Sequence, residues 1–271
     1  MTLVSTDWLN KNLKVVKIVD ASWHLVKSRN AIEEYNKEHI KNAIFFDLDN
    51  NSNQQKDLPH GHFLPSLNDH EKAVSKMGIS NNDRIIIYCY SDLISSCRAW
   101  FQFLYFGHDP RLVSVLNGGM KKWKLEGRKV TNLKTKIIPS KYIAKENKNM
   151  ITVKSKIDEN IIKKEFTVVD ARSKNRFLGL EAEPRPGIKS GSIEGSKSLP
   201  LSEIVNIEDN TFLDARKLKN IFNLGEILSN KIVMSCGSSV SAASLALAYS
   251  VINDDYIPKI YIGSWTEFGK K

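Results

Sequence analysis

The feature that most constrains the fold of this chain is an internal repeat, because one series of sequence signals occurs twice at an offset of roughly 145 to 150 residues. Each copy has a β-branched strand ending in Asp-Ala, an apolar strand ending in cysteine, a helical segment, and a strand leading into a glycine turn. The cysteine-ending strands are residues 83–89 and 230–236, and the helical segments are residues 95–105 and 240–252. Strands that alternate with helices favour parallel sheets, so we predict an α/β fold with two doubly wound domains in tandem.

A polar stretch separates the two copies. Residues 131–156 are rich in lysine and asparagine and contain few apolar residues, which is typical of a linker. We therefore predict an N-terminal domain over residues 1–130 and a C-terminal domain over residues 157–271.

Composition excludes several classes of protein. The formal net charge of +10 is spread along the chain without a basic and aromatic stripe, so we expect no nucleic-acid partner. No apolar run approaches the roughly 20 residues of a membrane helix, so we expect no membrane partner. The N-terminus lacks a basic region followed by an apolar core, and three cysteines are too few for a disulfide framework. We therefore expect a cytoplasmic protein.

The clearest chemical signal is the loop that follows the second cysteine-ending strand. Small residues there permit a tight turn, and a helix begins near Val240, so backbone N–H groups can stabilise a thiolate. A lone cysteine is more often a small core residue, but this loop favours a nucleophile. The candidate loop consists of Cys236, Gly237, Ser238, Ser239, Val240 and Ser241.

A phosphatase is disfavoured by the same loop. Cysteine phosphatases and arsenate reductases carry an arginine at the sixth position after the cysteine, where this chain has Ala242. No cation in the loop would then balance a transferring phosphoryl group.

The first copy lacks this arrangement. Cys89 ends the equivalent strand, but Tyr90, Ser91 and Asp92 follow it in place of glycine and small residues. We predict that the first domain is an inactive scaffold. Cys89 is either a structural thiol or has a redox or sulfur-relay role, and Cys97 is a packing residue.

Together these motifs resemble the tandem rhodanese-domain sulfurtransferases, and more closely the 3-mercaptopyruvate sulfurtransferases. The resemblance implies an enzyme without a cofactor that moves sulfur from a small donor, through a persulfide on Cys236, to a thiol, a thioredoxin-like protein or cyanide. The segments that carry it are residues 19–25, 43–49, 106–108, 115–123, 170–172, 183–187, 236–238 and 263–265.

The resemblance also implies substrate-binding residues. Arg176 and Arg185 match the arginines of the family that bind the substrate, and a guanidinium fork suits a carboxylate. A Ser/His/Asp relay would comprise Ser238, Asp49 and His60, with His62 as the alternative histidine. These two histidines lack companion ligands, so we expect no metal site.

The choice of sulfur donor depends on the charge of the loop. Thiosulfate-using members typically carry cationic side chains there, whereas this loop is neutral, which favours 3-mercaptopyruvate. Ser239 stands where the family usually has glycine, and it would be strained if the backbone requires a positive φ. A thiosulfate sulfurtransferase, a sulfur-carrier module loaded by another protein, and a non-catalytic binding protein are the alternatives.

Overall fold

A computed structural model of the chain describes residues 2–26, 28–53, 61–227, 231–253 and 256–271. The chain divides into two compact units. The first comprises Met1–Ser52, Pro65–Asn147 and Asn206–Phe212, and the second comprises Asn53–Leu64, Lys148–Val205 and Leu213–Lys271.

The first unit contains a parallel sheet. Its strands are β1 (Leu3–Val4), β2 (Lys17–Asp20), β3 (Ala43–Phe45), β4 (Ile85–Tyr88) and β5 (Val113–Leu116). Its helices are α1 (Thr6–Asn12), α2 (Ala31–Lys37), α3 (Leu67–Lys76), α4 (Ser96–Tyr105) and α5 (Gly119–Leu125). The strands are arranged in the order β1-β5-β4-β2-β3.

The second unit contains another parallel sheet. Its strands are β6 (Ile151–Thr152), β7 (Thr167–Asp170), β8 (Lys197–Ser198), β9 (Ile232–Ser235) and β10 (Lys259–Tyr261). Its helices are α6 (Lys154–Lys163), α7 (Lys174–Phe177), α8 (Ala215–Leu224), α9 (Val240–Ile252) and α10 (Ser264–Phe268). Short 3₁₀ turns occupy Lys148–Met150 and Leu201–Glu203, and the strand order is β6-β10-β9-β7-β8.

The two sheets have the same strand order, with β1 to β5 replaced by β6 to β10. All strand pairs in both sheets are parallel, as in β2 with β4 and β7 with β9. The central strands β4 and β9 are buried along their whole length, which explains their continuous apolar sequences. The predicted α/β fold with two parallel sheets is therefore confirmed.

Polar side chains fix where several helices begin. At the N-termini of α1, α3, α7 and α8 a side-chain oxygen accepts a hydrogen bond from the backbone N–H three residues later, which satisfies one open donor. These capping residues are Ser5, Ser66, Ser173 and Asp214. Helix α9 differs, because Ser239 precedes it in a left-handed conformation and makes no side-chain cap. Its residues are buried from Val240 to Ser250, as expected of an apolar sequence rich in alanine and serine.

The division of the chain differs from the predicted boundaries. Residues 131–147 belong to the first unit, where Thr131 pairs with His39 and the side chain of Tyr142 is buried. Residues 148–156 belong to the second unit and supply β6 and the start of α6. The stretch that we predicted as a linker therefore contributes to both units. Although it is mostly polar, a few backbone hydrogen bonds and the buried side chain of Tyr142 hold it in place.

Two further segments lie in the unit built mainly from the other half of the sequence. Residues 53–64 belong to the second unit, and residues 206–212 belong to the first. In the first unit, Phe212 N–H donates to Oδ1 of Asn117 at 2.9 Å, and Nζ of Lys122 lies 3.1 Å from Oδ2 of Asp209. In the described parts of the chain, no helix is long and apolar enough to cross a membrane.

Candidate functional site

Cys236 lies at the carboxyl edge of the second sheet, directly after β9. Its neighbours in the sheet are β7 and β10, so Arg172 after β7 and Ser264 after β10 reach the same edge. Ligand sites of open parallel sheets form at this edge. Cys236 is a free cysteine and is only 1% exposed.

The backbone after Cys236 forms a strained loop. Ser239 has φ 63° and ψ 4°, in the left-handed region, where a residue other than glycine costs about 1 to 2 kcal/mol. The strain that we expected if this position requires a positive φ is therefore present. The N–H groups of Cys236 and Ser239 donate to Oγ of Ser264 at 3.3 and 3.2 Å.

Other N–H groups of the loop remain open. Among the described residues, none accepts a hydrogen bond from the backbone N–H of Gly237, Ser238, Val240 or Ser241. These donors directly follow Cys236 and lead into the N-terminus of the 13-residue helix α9. Open N–H groups at the start of a helix favour negative charge, so this loop can stabilise a thiolate.

Ser238 is the meeting point of two other side chains. Its Oγ lies 2.8 Å from Nη2 of Arg185 and 2.9 Å from Nδ1 of His62. A guanidinium can only donate, so Oγ accepts from Arg185. The hydroxyl proton can then be donated to Nδ1 of a neutral His62, which would carry its own proton on Nε2.

His62 lies in the segment from the first half of the sequence that belongs to the second unit. Asn53 N–H donates to the carbonyl of Phe63 at 2.9 Å, and Oγ of Ser239 donates to the carbonyl of His62 at 3.3 Å. His62 is one of the two histidines that the sequence left open. The other, His60, lies outside the described residues and stays a prediction.

Glu183 holds two arginines on the same side of the sheet. Its Oε1 accepts from Nη1 of Arg172 at 2.7 Å, and its Oε2 accepts from Nη2 of Arg176 at 2.6 Å. The Glu183 side chain is 2% exposed. Burial by itself would raise the pKa of this carboxyl, but hydrogen bonds and charges from Arg176 and Arg172 hold the pKa below its usual value. Arg172 also pairs with Asp170, which fixes it to the end of β7.

Both predicted substrate-binding arginines lie beside the loop. A Cβ atom placed on Gly237 would lie 2.9 Å from Nη1 of Arg185 and 3.2 Å from Nη2 of Arg176. Arg185 is 7% exposed, so a cation is buried next to the neutral loop. The structure thus brings together Cys236, its loop and both arginines.

The predicted aspartate belongs to the first unit. Oδ1 of Asp49 accepts a hydrogen bond from Nε1 of Trp23 at 3.0 Å. Its part in a relay stays a prediction. Within the described ranges, no group of three or more His, Cys, Asp and Glu residues is placed to bind a metal ion.

Cys89 of the first unit has different surroundings. Its Sγ donates to Oγ of Ser96 at 3.3 Å, and burial raises the pKa of the thiol. Ile94 in the following loop has φ 48°, and Nη2 of Arg29 donates to the carbonyl of Tyr90 at 2.9 Å. The raised pKa and the hydrogen bond to Ser96 favour a protonated structural thiol at Cys89.

Two functional contacts were not predicted from the sequence. Glu183 was recognised only as part of the motif around Arg185, and Ser264 only as part of a Gly-Ser-Trp turn. The acidic residue two positions before Arg185 was the available signal for the first. No local signal indicated that the hydroxyl of Ser264 contacts the loop, because this contact depends on strand order.

Comparison with known proteins agrees with this geometry. Residues 5–126 match the family model of the rhodanese-like domain. Over 98% of its length the chain is 35% identical to the mitochondrial thiosulfate/3-mercaptopyruvate sulfurtransferase 1 of Arabidopsis thaliana, covering 75% of that protein. Over 98% of its length it is also 34% identical to the 3-mercaptopyruvate sulfurtransferase of Mus musculus, covering 91% of that protein.

A solved structure shows the same similarity. The crystal structure of SseA from Escherichia coli, a 3-mercaptopyruvate sulfotransferase, superposes with a TM-score of 0.86 at 27% identity. The match covers 98% of this chain and 99% of SseA. The chain therefore belongs to the tandem rhodanese-domain sulfurtransferases, close to the 3-mercaptopyruvate sulfurtransferases, and it is a sulfur-transferring enzyme.

Proposed function

We propose that this enzyme takes sulfur from 3-mercaptopyruvate onto Cys236 and passes it to a thiol, a thioredoxin-like protein or cyanide. The observation that carries the proposal is the position of Ser238, two residues after Cys236 and in contact with both Arg185 and His62. This arrangement joins a nucleophile loop, a carboxylate-binding cation and a route for a proton.

In the first step the Cys236 thiolate attacks the sulfur of 3-mercaptopyruvate. A sulfur–sulfur bond forms and the carbon–sulfur bond breaks, and its electron pair stays on carbon as the enolate of pyruvate. The enolate then takes up a proton to give pyruvate. The open N–H groups after Cys236 support this step, because they stabilise the anionic sulfur before and after the attack.

The arginines suit the other end of the donor. Mercaptopyruvate carries a carboxylate and a ketone, and guanidinium groups bind such planar acceptors through paired donors. Arg185 and Arg176 both approach Gly237, next to the nucleophile. Glu183 fixes the direction of Arg176 by accepting from its Nε and Nη2 at 3.1 and 2.6 Å.

Ser238 and His62 can deliver the proton. When His62 is protonated, Oγ of Ser238 accepts from both Nδ1 of His62 and Arg185, since a hydroxyl has two lone pairs. Its own proton then points elsewhere and can go to the enolate carbon, while Ser238 takes the proton of His62. General acid catalysis of this kind contributes typically about 10² to 10⁴-fold.

In the second step the acceptor attacks the outer sulfur of the persulfide. With a thiolate acceptor, a new persulfide forms on the acceptor, and the electron pair of the broken sulfur–sulfur bond returns to Cys236. With cyanide the product is thiocyanate. The thiolate of Cys236 is regenerated in both cases, so no external oxidant or reductant is needed.

Steady-state sulfur transfer to cyanide tests this proposal, with 3-mercaptopyruvate and thiosulfate compared as donors. We expect a higher kcat/KM with 3-mercaptopyruvate, and we expect Arg185→Ala to lower this value more than the value for thiosulfate. A higher kcat/KM with thiosulfate would overturn the donor assignment. Turnover with neither donor, together with persulfide loading by a cysteine desulfurase, would instead identify a sulfur carrier.

A further inference from the structure

The hydroxyl of Ser264 joins three backbone positions around the nucleophile loop. Its Oγ donates to the carbonyl of Tyr261 at 2.8 Å and accepts from the N–H groups of Cys236 and Ser239 at 3.3 and 3.2 Å. Ser264 is completely buried, so water cannot replace these bonds without rearrangement. One hydroxyl therefore fixes both the first residue of the loop and the strained residue before α9.

The two serines share an unusual backbone conformation. Ser239 has φ 63° and Ser264 has φ 49°, and both values lie in the left-handed region that favours glycine. Such residues persist when the surrounding structure holds them in place. For Ser239 the described hydrogen bond of its N–H is the one to Ser264, and its side chain contacts the carbonyl of His62.

The corresponding turn of the first unit has no room for a side chain at the position equivalent to Ser264. Gly119 follows β5 as Ser264 follows β10, and it also has a positive φ of 53°. A Cβ atom on Gly119 would lie 2.4 Å from the carbonyl oxygen of Cys89, so no side chain fits there. In the second unit the equivalent position has room for a hydroxyl directed at the loop of Cys236. The serine is thus found in the unit that contains the loop of Cys236.

We propose that Ser264 is a positioning residue that holds Ser239 in its left-handed conformation and thereby fixes the backbone of the loop whose open N–H groups follow Cys236. The inference rests on the proposed function, because it takes Cys236 as the sulfur carrier. A glycine at position 239 would adopt the left-handed conformation without strain, so the hydrogen bond to Ser264 would not be needed to hold it.

A double-mutant cycle between Ser264→Gly and Ser239→Gly tests this coupling. Glycine at 264 removes the hydroxyl without adding backbone strain, and glycine at 239 removes the strain that the hydroxyl offsets. Three quantities are measured for each variant: kcat/KM with 3-mercaptopyruvate, the pH profile of the alkylation rate of Cys236 by iodoacetamide, and the thermal midpoint. Alkylation reports the thiolate, which a general loss of stability would not shift.

We expect Ser264→Gly to lower kcat/KM by roughly tenfold to a hundredfold when Ser239 is present, and to move the alkylation profile to higher pH. In the Ser239→Gly background the same change should cost at least about threefold less. Equal losses in the two backgrounds, or an unshifted alkylation profile, would overturn the inference.

Thr266→Val is the matched control. Oγ1 of Thr266 donates to the carbonyl of Gly237 at 2.7 Å, so this variant removes another hydroxyl that contacts the same loop. The carbonyl keeps the N–H of Thr266 as a donor at 2.8 Å, and the bond does not involve Ser239. Its effect should therefore not change with Ser239→Gly.

The variant Cys236→Ser distinguishes a failure of the proposed function from a failure of the proposed role of Ser264. Sulfur transfer that survives Cys236→Ser contradicts the proposed function itself. An inactive Cys236→Ser combined with additive effects of Ser264→Gly and Ser239→Gly contradicts only the role of Ser264.

Discussion

The Nδ1 atom of His62 lies 2.9 Å from Oγ of Ser238, although 176 positions separate the two residues in the sequence. The contact forms because residues 53–64 belong to the second unit rather than the first. The candidate site of the second unit therefore includes a residue from the first half of the chain. Several measurable consequences depend on this contact and on the arginines around it.

Ser238→Ala should lower kcat with 3-mercaptopyruvate by about 10² or more, because it removes the hydroxyl that, in the proposed mechanism, passes the proton of His62 to the enolate. The measurement is kcat at saturating donor. Ser250→Ala is the control, since Ser250 is a buried serine like Ser238 but lies within α9, where its hydroxyl donates to the carbonyl of Leu247. Similar kcat values for the two variants would remove Ser238 from the proton route.

Gly237→Ala should weaken the binding of 3-mercaptopyruvate. Gly237 does not have a positive φ, so alanine adds no backbone strain, but its Cβ would meet Nη1 of Arg185 at 2.9 Å and Nη2 of Arg176 at 3.2 Å. The guanidinium groups must move, and we expect KM for the donor to rise about tenfold with a smaller change in kcat. An unchanged KM would show that the arginines do not bind the donor in these positions. The KM for cyanide serves as the internal control.

Glu183→Gln should reduce the free energy of unfolding by about 3 kcal/mol, because Arg176 loses its ion-pair partner and the buried Arg172 keeps only Asp170 as a counter-charge. Urea denaturation measures the change. Asp158→Asn removes the exposed ion pair with Lys154 and should cost less than about 1 kcal/mol. If Glu183→Gln costs no more than this control, the buried pair does not hold the arginines.

The stability of the first unit should fall in mild acid because of His70. Burial lowers the pKa of His70 to about 3, and the ring stacks on Phe106 with centroids 4.0 Å apart. As pH falls below the ordinary value of 6.5, the unfolded state gains a proton while the folded state stays neutral until about pH 3. Stability is then lost by up to about 1.4 kcal/mol per pH unit within this window.

His70→Phe provides the comparison for this pH dependence. It keeps an aromatic ring beside Phe106 and removes the titrating group. The difference in urea midpoint between His70→Phe and the wild-type protein should therefore change steadily in favour of the variant from pH 6.5 toward pH 4. A constant difference over this range would contradict a neutral His70 in the folded protein.

Much of the fold could be predicted from local sequence. The helix predicted at 240–252 has the same bounds in the structure, because a long run of apolar and small residues follows a clear loop signal. The central strands β4 and β9 were predicted within two residues at each end. The edge strands β1 and β6 have two residues each, which is too short for a periodic pattern. Residues 53–64 and 206–212 each belong to the unit built mainly from the other half of the sequence. This assignment depends on tertiary contacts, for which the local sequence gives no signal.

The candidate site shows the same division between local and non-local information. The loop of Cys236 could be recognised because its residues are consecutive, and the strain at Ser239 followed from the absence of glycine. The contact of Ser264 with that loop depends on β10 lying beside β9, which the order of the chain does not reveal. The roles of His60 and Asp49 and the cytoplasmic location stay predictions.

The most direct test of a persulfide on Cys236 is peptide mass spectrometry after the protein is treated with 3-mercaptopyruvate in the absence of an acceptor. We predict one added sulfur atom on the peptide that contains Cys236, and its loss on addition of cyanide. Cys89 and Cys97 should stay unmodified, because burial raises the pKa of Cys89 and Cys97 lies within α4, outside any loop at the end of a strand. Added sulfur on Cys89 or Cys97, or turnover with no sulfur on Cys236, would show that Cys236 is not the sulfur carrier.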